Sequence, residues 1–125
     1  MTVQRELQGY RALEVYQRSM DALVLVHELA ATLPEFEKYD LASQLRRASK
    51  SVPANIAEGY AKRRSAKEFV SFLGNAMGSA NEVQVHLEIG VRLKYFSGER
   101  TAAVGDEYDI IGRQLTQLIR SWSRG

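Results

Sequence analysis

Gln44-Leu45-Arg46-Arg47-Ala48-Ser49-Lys50-Ser51-Val52-Pro53-Ala54-Asn55-Ile56-Ala57-Glu58-Gly59 places apolar residues at Leu45, Ala48, Val52 and Ile56, the three- and four-residue spacing of one face of a helix. With Leu41 ahead of it, the stripe predicts a helix opened by Asp40 as N-cap and closed at Gly59, a residue type that ends helices. Pro53 falls inside the run. It removes one backbone hydrogen bond and crowds the carbonyl of Ser49, costing about 3 kcal/mol unless the helix kinks or briefly breaks. The Ser49 and Ser51 hydroxyls stand close enough in sequence to satisfy the freed groups. A proline, a basic cluster and an Asn and Glu among small residues are not what a helix built for packing requires. Such breaks of a local rule mark function or assembly.

The same periodicity recurs on both sides. A first helix is predicted over about Arg11 to Thr32, with Leu13, Tyr16, Met20, Leu23, Val26 and Ala30 in phase, and Leu33-Pro34 stops it. Ser65 and Glu68 form a capping box that opens a third helix carrying Phe69, Phe72, Leu73, Ala76, Ala80, Val83, Leu87 and Val91. At about thirty residues this helix would run roughly 45 Å. Ser97-Gly98 separates it from a fourth, with Val104, Tyr108, Ile111, Leu115, Leu118, Ile119 and Trp122. Short connections make neighbouring helices antiparallel. The predicted fold is therefore all-α, an antiparallel up-down-up-down four-helix bundle over residues 10–122, with a flexible 1–9 and a frayed 123–125.

At 125 residues the chain is one domain, long enough to bury a core without metal or disulfide help. Apolar residues make up 45% and charged residues 26%, an ordinary globular balance. There is no cysteine, which excludes disulfides, thiolate catalysis and cysteine-ligated zinc. The opening residues, Met1 to Glu6, have no apolar core of the signal-peptide kind, and no apolar run approaches the ~20 residues that span a bilayer. The helices also lack the basic-aromatic pattern of membrane-surface helices. A cytoplasmic protein with no membrane partner is the expectation.

Catalytic chemistry finds little to work with. A di-metal bundle needs Glu three residues ahead of His, but Val24 precedes His27 and Val83 precedes His86. Gly74-x-x-x-Gly78 lacks the Lys-Ser/Thr of a phosphate loop. With Ala76, Ser79 and Ala80 it makes a small-residue strip, suited to tight packing within the bundle or to a contact between subunits. No serine has a base at catalytic spacing. The expectation is a nonenzymatic protein with no cofactor and no metal.

Charge distribution is more informative than the net charge of +2. Residues 46–67 hold Arg46, Arg47, Lys50, Lys62, Arg63, Arg64 and Lys67 against Glu58 alone, so +6 there opposes −4 elsewhere. Such asymmetry is the footprint of a phosphate-binding face or of a solvated basic turn. All seven are candidate nucleic-acid contacts. Arg46, Lys50, Lys62, Arg63, Arg64 and Lys67 are expected to gather around one end of the second and third helices, binding nucleic acid with weak sequence preference. Arg47, Ser51 and Glu58 fall on one stripe, because eleven residues advance a helix about 20° past three turns. Arg47 and Glu58 are too far apart to pair with each other, and Asn81-Glu82 on the third helix offers partners. The stripe orders the bundle or an interface, touches a ligand, or faces solvent. A competing expectation is a protein-interaction scaffold, with Val24, Ile110 and Tyr60 as exposed apolar positions.

Tyr39-Asp40-Leu41, Gln44-Leu45-Arg46-Arg47-Ala48, Ser51-Val52-Pro53-Ala54-Asn55-Ile56-Ala57-Glu58-Gly59, Phe72-Leu73 and Ala76-Met77-Gly78-Ser79-Ala80-Asn81-Glu82 resemble the four-helix bundle family of 23S rRNA intervening-sequence proteins, over about residues 10–122. The motif positions are Gln44, Arg47, Ser51, Pro53, Asn55, Glu58, Gly59, Gly78, Ser79 and Glu82. After Glu82 the chain departs from the family's more acidic pattern with Gln84, Val85 and His86. The layout is also similar to that of the accessory protein of diversity-generating retroelements. That resemblance implies a homopentamer with a basic surface for RNA or DNA, and a protein partner such as a reverse transcriptase.

Overall fold

The computed structural model describes residues 8–124 and contains α1 (Glu14–Ala30), α2 (Leu41–Ala61), α3 (Ala66–Arg92) and α4 (Gly98–Ser123). Among the described residues there is no strand. A 3-10 turn, Gly9–Ala12, precedes α1, and another, Glu35–Glu37, lies between α1 and α2. The first helix is thus shorter than its apolar pattern suggested, because Leu13 is extended and divides the 3-10 turn from α1. Most of the segment expected to be flexible, and Gly125 of the expected frayed end, lie outside the described residues.

Each helix packs on two neighbours. The backbone of α1 lies against α2 and α4, that of α3 lies against α2 and α4, and the diagonal pairs stay apart. Val26 and Leu29 of α1, Leu45, Val52 and Ile56 of α2, Leu73, Ala76 and Val83 of α3, and Ile111 and Leu115 of α4 fill the centre and are buried. Their spacing is the one the sequence displays. This is bundle packing, with the burial of these stripes as the main stabilising term.

The helix ends follow local chemistry. Ser65 Oγ accepts the Glu68 N–H at 3.2 Å and Ser97 Oγ accepts the Arg100 N–H at 3.2 Å, so both serines cap as N-terminal residues should. Asp40 stands at the N-cap position of α2 but does not cap it. Its carboxylate accepts from Gln44 Nε2 at 2.7 Å, and the Leu41 N–H turns to Glu37 Oε1 at 3.3 Å. At the end of α3 the Tyr95 N–H reaches the Gly90 carbonyl and the Lys94 N–H the Val91 carbonyl, both at 2.9 Å. Lys94 takes the left-handed conformation (φ 65°) that this closure requires.

One boundary of α2 changes, and one of the two outcomes expected at Pro53 does not occur. Gly59 does not end the helix, which continues to Ala61. A Cβ on Gly59 would stand 2.6 Å from the Phe72 Cβ, so this glycine admits the close approach of α3. The helix also continues without a break through Pro53, which is buried. The Ser49 hydroxyl donates to the Arg46 carbonyl at 3.0 Å instead of serving the gap that Pro53 leaves.

One buried polar atom bears on stability. Tyr108 is 2% exposed and its hydroxyl finds no hydrogen-bond partner among the described residues. Burial pushes its pKa well above the ordinary tyrosine value. Above pH ~10 the unfolded chain ionises Tyr108 while the fold holds it neutral, so stability falls as pH rises beyond that point. Tyr108→Phe removes an unsatisfied hydroxyl and should stabilise the protein by up to about 1 kcal/mol while weakening its alkaline unfolding. Urea melts at pH 7 and 10.5 check this; a destabilised variant at pH 7 would mean the hydroxyl has a partner.

Candidate nucleic-acid interface

Helix α2 sets the positions of the basic residues, and it separates them into two groups. Arg46, Arg47 and Lys50 lie in its first half, whereas Lys62, Arg63 and Arg64 form the turn to α3 and Lys67 lies in the first turn of α3. From Arg46 to Lys62 a continuous helix rises about 24 Å at 1.5 Å per residue. The expected gathering around one end therefore holds for Lys62, Arg63, Arg64 and Lys67 and not for Arg46 and Lys50.

The turn group is exposed and held by aromatic faces. The Arg63 guanidinium sits 4.0 Å from the centroid of Tyr60, and its Nη1 donates to the Tyr60 carbonyl at 3.0 Å. Lys62 Nζ lies 4.9 Å from the centroid of Phe72. Tyr60 itself meets Phe69 edge to face at 6.1 Å, which ties the turn to the core. Such stacking orders a guanidinium without neutralising it. In the other group Arg47 and Lys50 are exposed. Arg46 is half-buried at the α1–α2 corner, and its Nη2 donates to the Lys38 carbonyl at 3.3 Å.

No carboxylate comes within 4.0 Å of any of the seven basic side chains among the described residues. Among the described residues Arg18 pairs with Glu14 and Glu107, and His86 Nε2 stands 3.5 Å from a Glu82 carboxylate oxygen. That last distance involves no hydrogen bond, and both ring nitrogens of the buried His86 are left without one among the described residues. Arg47 and Glu58 therefore take neither Glu82 nor each other. Both are exposed, as is Asn81.

The polar residues that join α2 to α3 are smaller ones. Ser79 Oγ donates to Ser51 Oγ at 2.8 Å. Asn55 Nδ2 donates to the same hydroxyl at 3.0 Å and to the Ser51 carbonyl at 2.9 Å. This half-buried triad fixes the relative height of the two helices. Gln44 stays on its own helix with Asp40.

Gly74 and Gly78 are exposed, and a Cβ on either would meet nothing within 4 Å. They do not serve packing inside the bundle. Val85, Ile89 and Leu93 continue along the outer side of α3 at 50%, 38% and 53% exposure. Of the apolar positions expected to be exposed, Val24 is (52%), whereas Ile110 and Tyr60 are half-buried. Among the described residues no three His, Asp or Glu side chains come together as a metal site would need.

Sequence reasoning missed Phe36, Tyr39 and Tyr95, which sit at the opposite end of α2 from the basic turn. Phe36 meets Tyr95 edge to face at 6.2 Å, and the Tyr95 hydroxyl donates to Glu37 Oε2 at 2.8 Å. That bond and the Glu37 charge raise the Tyr95 pKa. Two aromatics three residues apart in a polar connection were the available signal.

The family model of the 23S rRNA-intervening sequence proteins matches residues 11–117. The chain belongs to that family. Its fold is similar to that of a protein of unknown function from the S23 ribosomal protein family of Bacteroides thetaiotaomicron, whose crystal structure aligns with a TM-score of 0.76 and 26% identity over 84% of this chain and 97% of the other. No curated protein matches. In this member of the family, the motif residues Ser51, Asn55 and Ser79 are those of the α2–α3 triad, and Gly59 is the point of close helix approach.

Proposed function

We propose that the protein is a nonenzymatic, cytoplasmic four-helix bundle that assembles as a homopentamer and binds the backbone of RNA or DNA through its basic surface. The observation that carries this reading is the exposed turn Lys62-Arg63-Arg64 with Lys67, cations without an acidic partner among the described residues. Arg63 over Tyr60 and Lys62 beside Phe72 are not neutralised and favour phosphate oxygens, and they carry no base-reading geometry. Arg47 and Lys50 extend the positive surface along α2. No helix among the described residues is long and apolar enough to cross a membrane. The test is charge reversal at Arg63 and Arg64: lost duplex binding with the fold intact is the expected result, and unchanged binding moves the interface elsewhere.

An antiparallel up-down-up-down course is part of this reading. It is supported by Ser51 meeting Ser79 while Gly59, further along α2, meets Phe72, earlier on α3. Gln84 meeting Gly105 while Met77 faces Gly112 supports the same sense for α3 and α4. A bend at Pro53 belongs to it as well, since the proline removes a backbone hydrogen bond inside α2.

Assembly is assigned to the outer side of α3, which carries the exposed Gly74, Gly78, Val85 and Ile89. A glycine in mid-helix costs about 1 kcal/mol relative to alanine, and here nothing inside the subunit accounts for it. Gly74→Ala with Gly78→Ala should therefore stabilise the isolated subunit by up to about 2 kcal/mol and weaken the oligomer. Light scattering with thermal melts reads both effects; an unchanged oligomer removes this face from the interface. The same exposed apolar side chains favour a second reading, a protein-interaction scaffold or accessory subunit, for a partner such as a reverse transcriptase, with no nucleic-acid binding. A partner that stays bound at high salt would support it.

A further inference from the structure

The chain ends of α1 and α3 bring together a second surface, remote from the basic turn. Phe36 and Tyr39 are 76% and 86% exposed, more than any other large apolar side chain among the described residues. Water-exposed rings of this size on a short connection stabilise nothing by burial. Their positions are nonetheless fixed. Phe36 lies edge to face with Tyr95 at 6.2 Å, and Tyr95 is bonded through its hydroxyl to Glu37 at 2.8 Å, which clamps the α1–α2 connection to the α3–α4 connection. Lys38 Nζ lies 5.5 Å from the centroid of Tyr39, and Lys38 is tied by its carbonyl to Arg46 at 3.3 Å. Beside them opens a cleft of about 220 Å³ whose lining includes Leu33, Pro34, Glu35, Lys38, Ala42 and Arg46. Lys94, held in its left-handed turn, adjoins Tyr95.

We infer that this tip binds unpaired nucleotides of a single strand, with bases stacking on Phe36 and Tyr39 and the backbone phosphate held by Lys38 and Arg46. Every base has a π-face, so exposed aromatic rings next to cations take single strands with little regard to sequence. The acids of the tip are largely committed: Glu37 to Tyr95 and the Leu41 N–H, Asp40 to Gln44. They still carry negative charge, as does Glu35, so net attraction here is small and stacking supplies the binding. The site therefore has a signature opposite to that of the basic turn, namely preference for single strands and a shallow dependence on salt. Some 30 Å of α2 separates the two surfaces at 1.5 Å per residue, so a strand must be long to touch both.

This inference extends the nucleic-acid reading to a second site, and the test separates the two. Fluorescence anisotropy would follow a labelled oligouridylate of about 12 nucleotides and an RNA duplex, against wild type, Phe36→Ala/Tyr39→Ala and Arg63→Glu/Arg64→Glu. The aromatic pair variant should lose at least about tenfold in single-strand affinity and keep duplex affinity, because a stacked base contributes about 1–3 kcal/mol. Both rings are exposed and only the Phe36–Tyr95 pair is lost, so its melting temperature should fall by no more than about 5 °C. Unchanged single-strand affinity in that variant overturns the stacking site, whatever the duplex does. A smaller assembly in light scattering, again with unchanged single-strand affinity, overturns it in favour of a protein contact. Duplex binding that survives in the arginine variant instead counts against the basic turn and leaves the stacking site standing.

Discussion

Phe69→Ala should lower the melting temperature by more than about 10 °C, the largest stability effect expected of a single substitution in this protein. Phe69 is 1% exposed and makes edge-to-face pairs with Trp122 of α4 at 4.8 Å and Tyr60 of α2 at 6.1 Å. It also touches the Gly59 position, where α2 and α3 come closest. One ring thus binds three helices at the end of the bundle that carries the basic turn. Truncating a buried phenylalanine to alanine costs about 3–5 kcal/mol, through lost transfer energy and the cavity left behind. The two aromatic pairs add about 0.5–1.5 kcal/mol each. Against a total stability of about 5–15 kcal/mol, this removes much of the margin. Urea unfolding would measure it. A loss below about 1 kcal/mol would mean that the helices at this end do not depend on Phe69. Because Tyr60 orders Arg63, the surviving folded fraction should also bind nucleic acid less well.

The largest functional effect is expected from Arg63→Glu combined with Arg64→Glu. Both side chains are exposed, and within the protein the change removes only the Arg63 stack on Tyr60 and the Arg63 bond to the Tyr60 carbonyl. An exposed cation–π contact is worth about 0.5–1 kcal/mol, so stability should change little. Binding should change greatly. At 4 Å in water each reversal replaces about 1 kcal/mol of attraction to a phosphate with a similar repulsion. Duplex affinity should fall on the order of 100-fold or more, and the salt dependence should lose about two phosphate contacts. Anisotropy titrations with a melt of each protein would establish both. An unchanged duplex affinity would remove Arg63 and Arg64 from the interface.

How far the sequence could be read depended on whether a feature was local or set by a neighbouring helix. The four apolar stripes were legible because helical spacing and burial are the same fact seen twice: Leu45, Val52 and Ile56 on α2 and Leu73, Ala76 and Val83 on α3 are buried where the pattern put them. Ser65 was legible as a cap because its partner, the Glu68 N–H, lies three residues on. Gly59 was not legible as a packing residue, since the Phe72 side chain that requires a glycine there comes from α3. Asp40 failed as a cap because Gln44 and Glu37 compete for the same groups. The polar stripe was legible only in part, for a related reason. Arg47 and Glu58 are exposed, whereas Ser51 accepts from Ser79 of α3 and is braced on its own helix by Asn55. The seven cations were visible by composition, but a continuous α2 divides them along its length. The aromatic tip was invisible as a cluster, because Tyr95 reaches Phe36 only once the helices are folded.

The central claim is that the basic surface binds nucleic-acid backbone, and its most direct measurement is the salt dependence of duplex binding by nuclease-treated wild-type protein. Each neutralised phosphate contributes about −0.9 to the slope of log K against log salt for B-form DNA. The four cations of the turn region predict a DNA-duplex slope of about −3 or steeper, with similar affinity for unrelated sequences. Absence of binding at low salt, or binding with a flat salt dependence, would contradict the account.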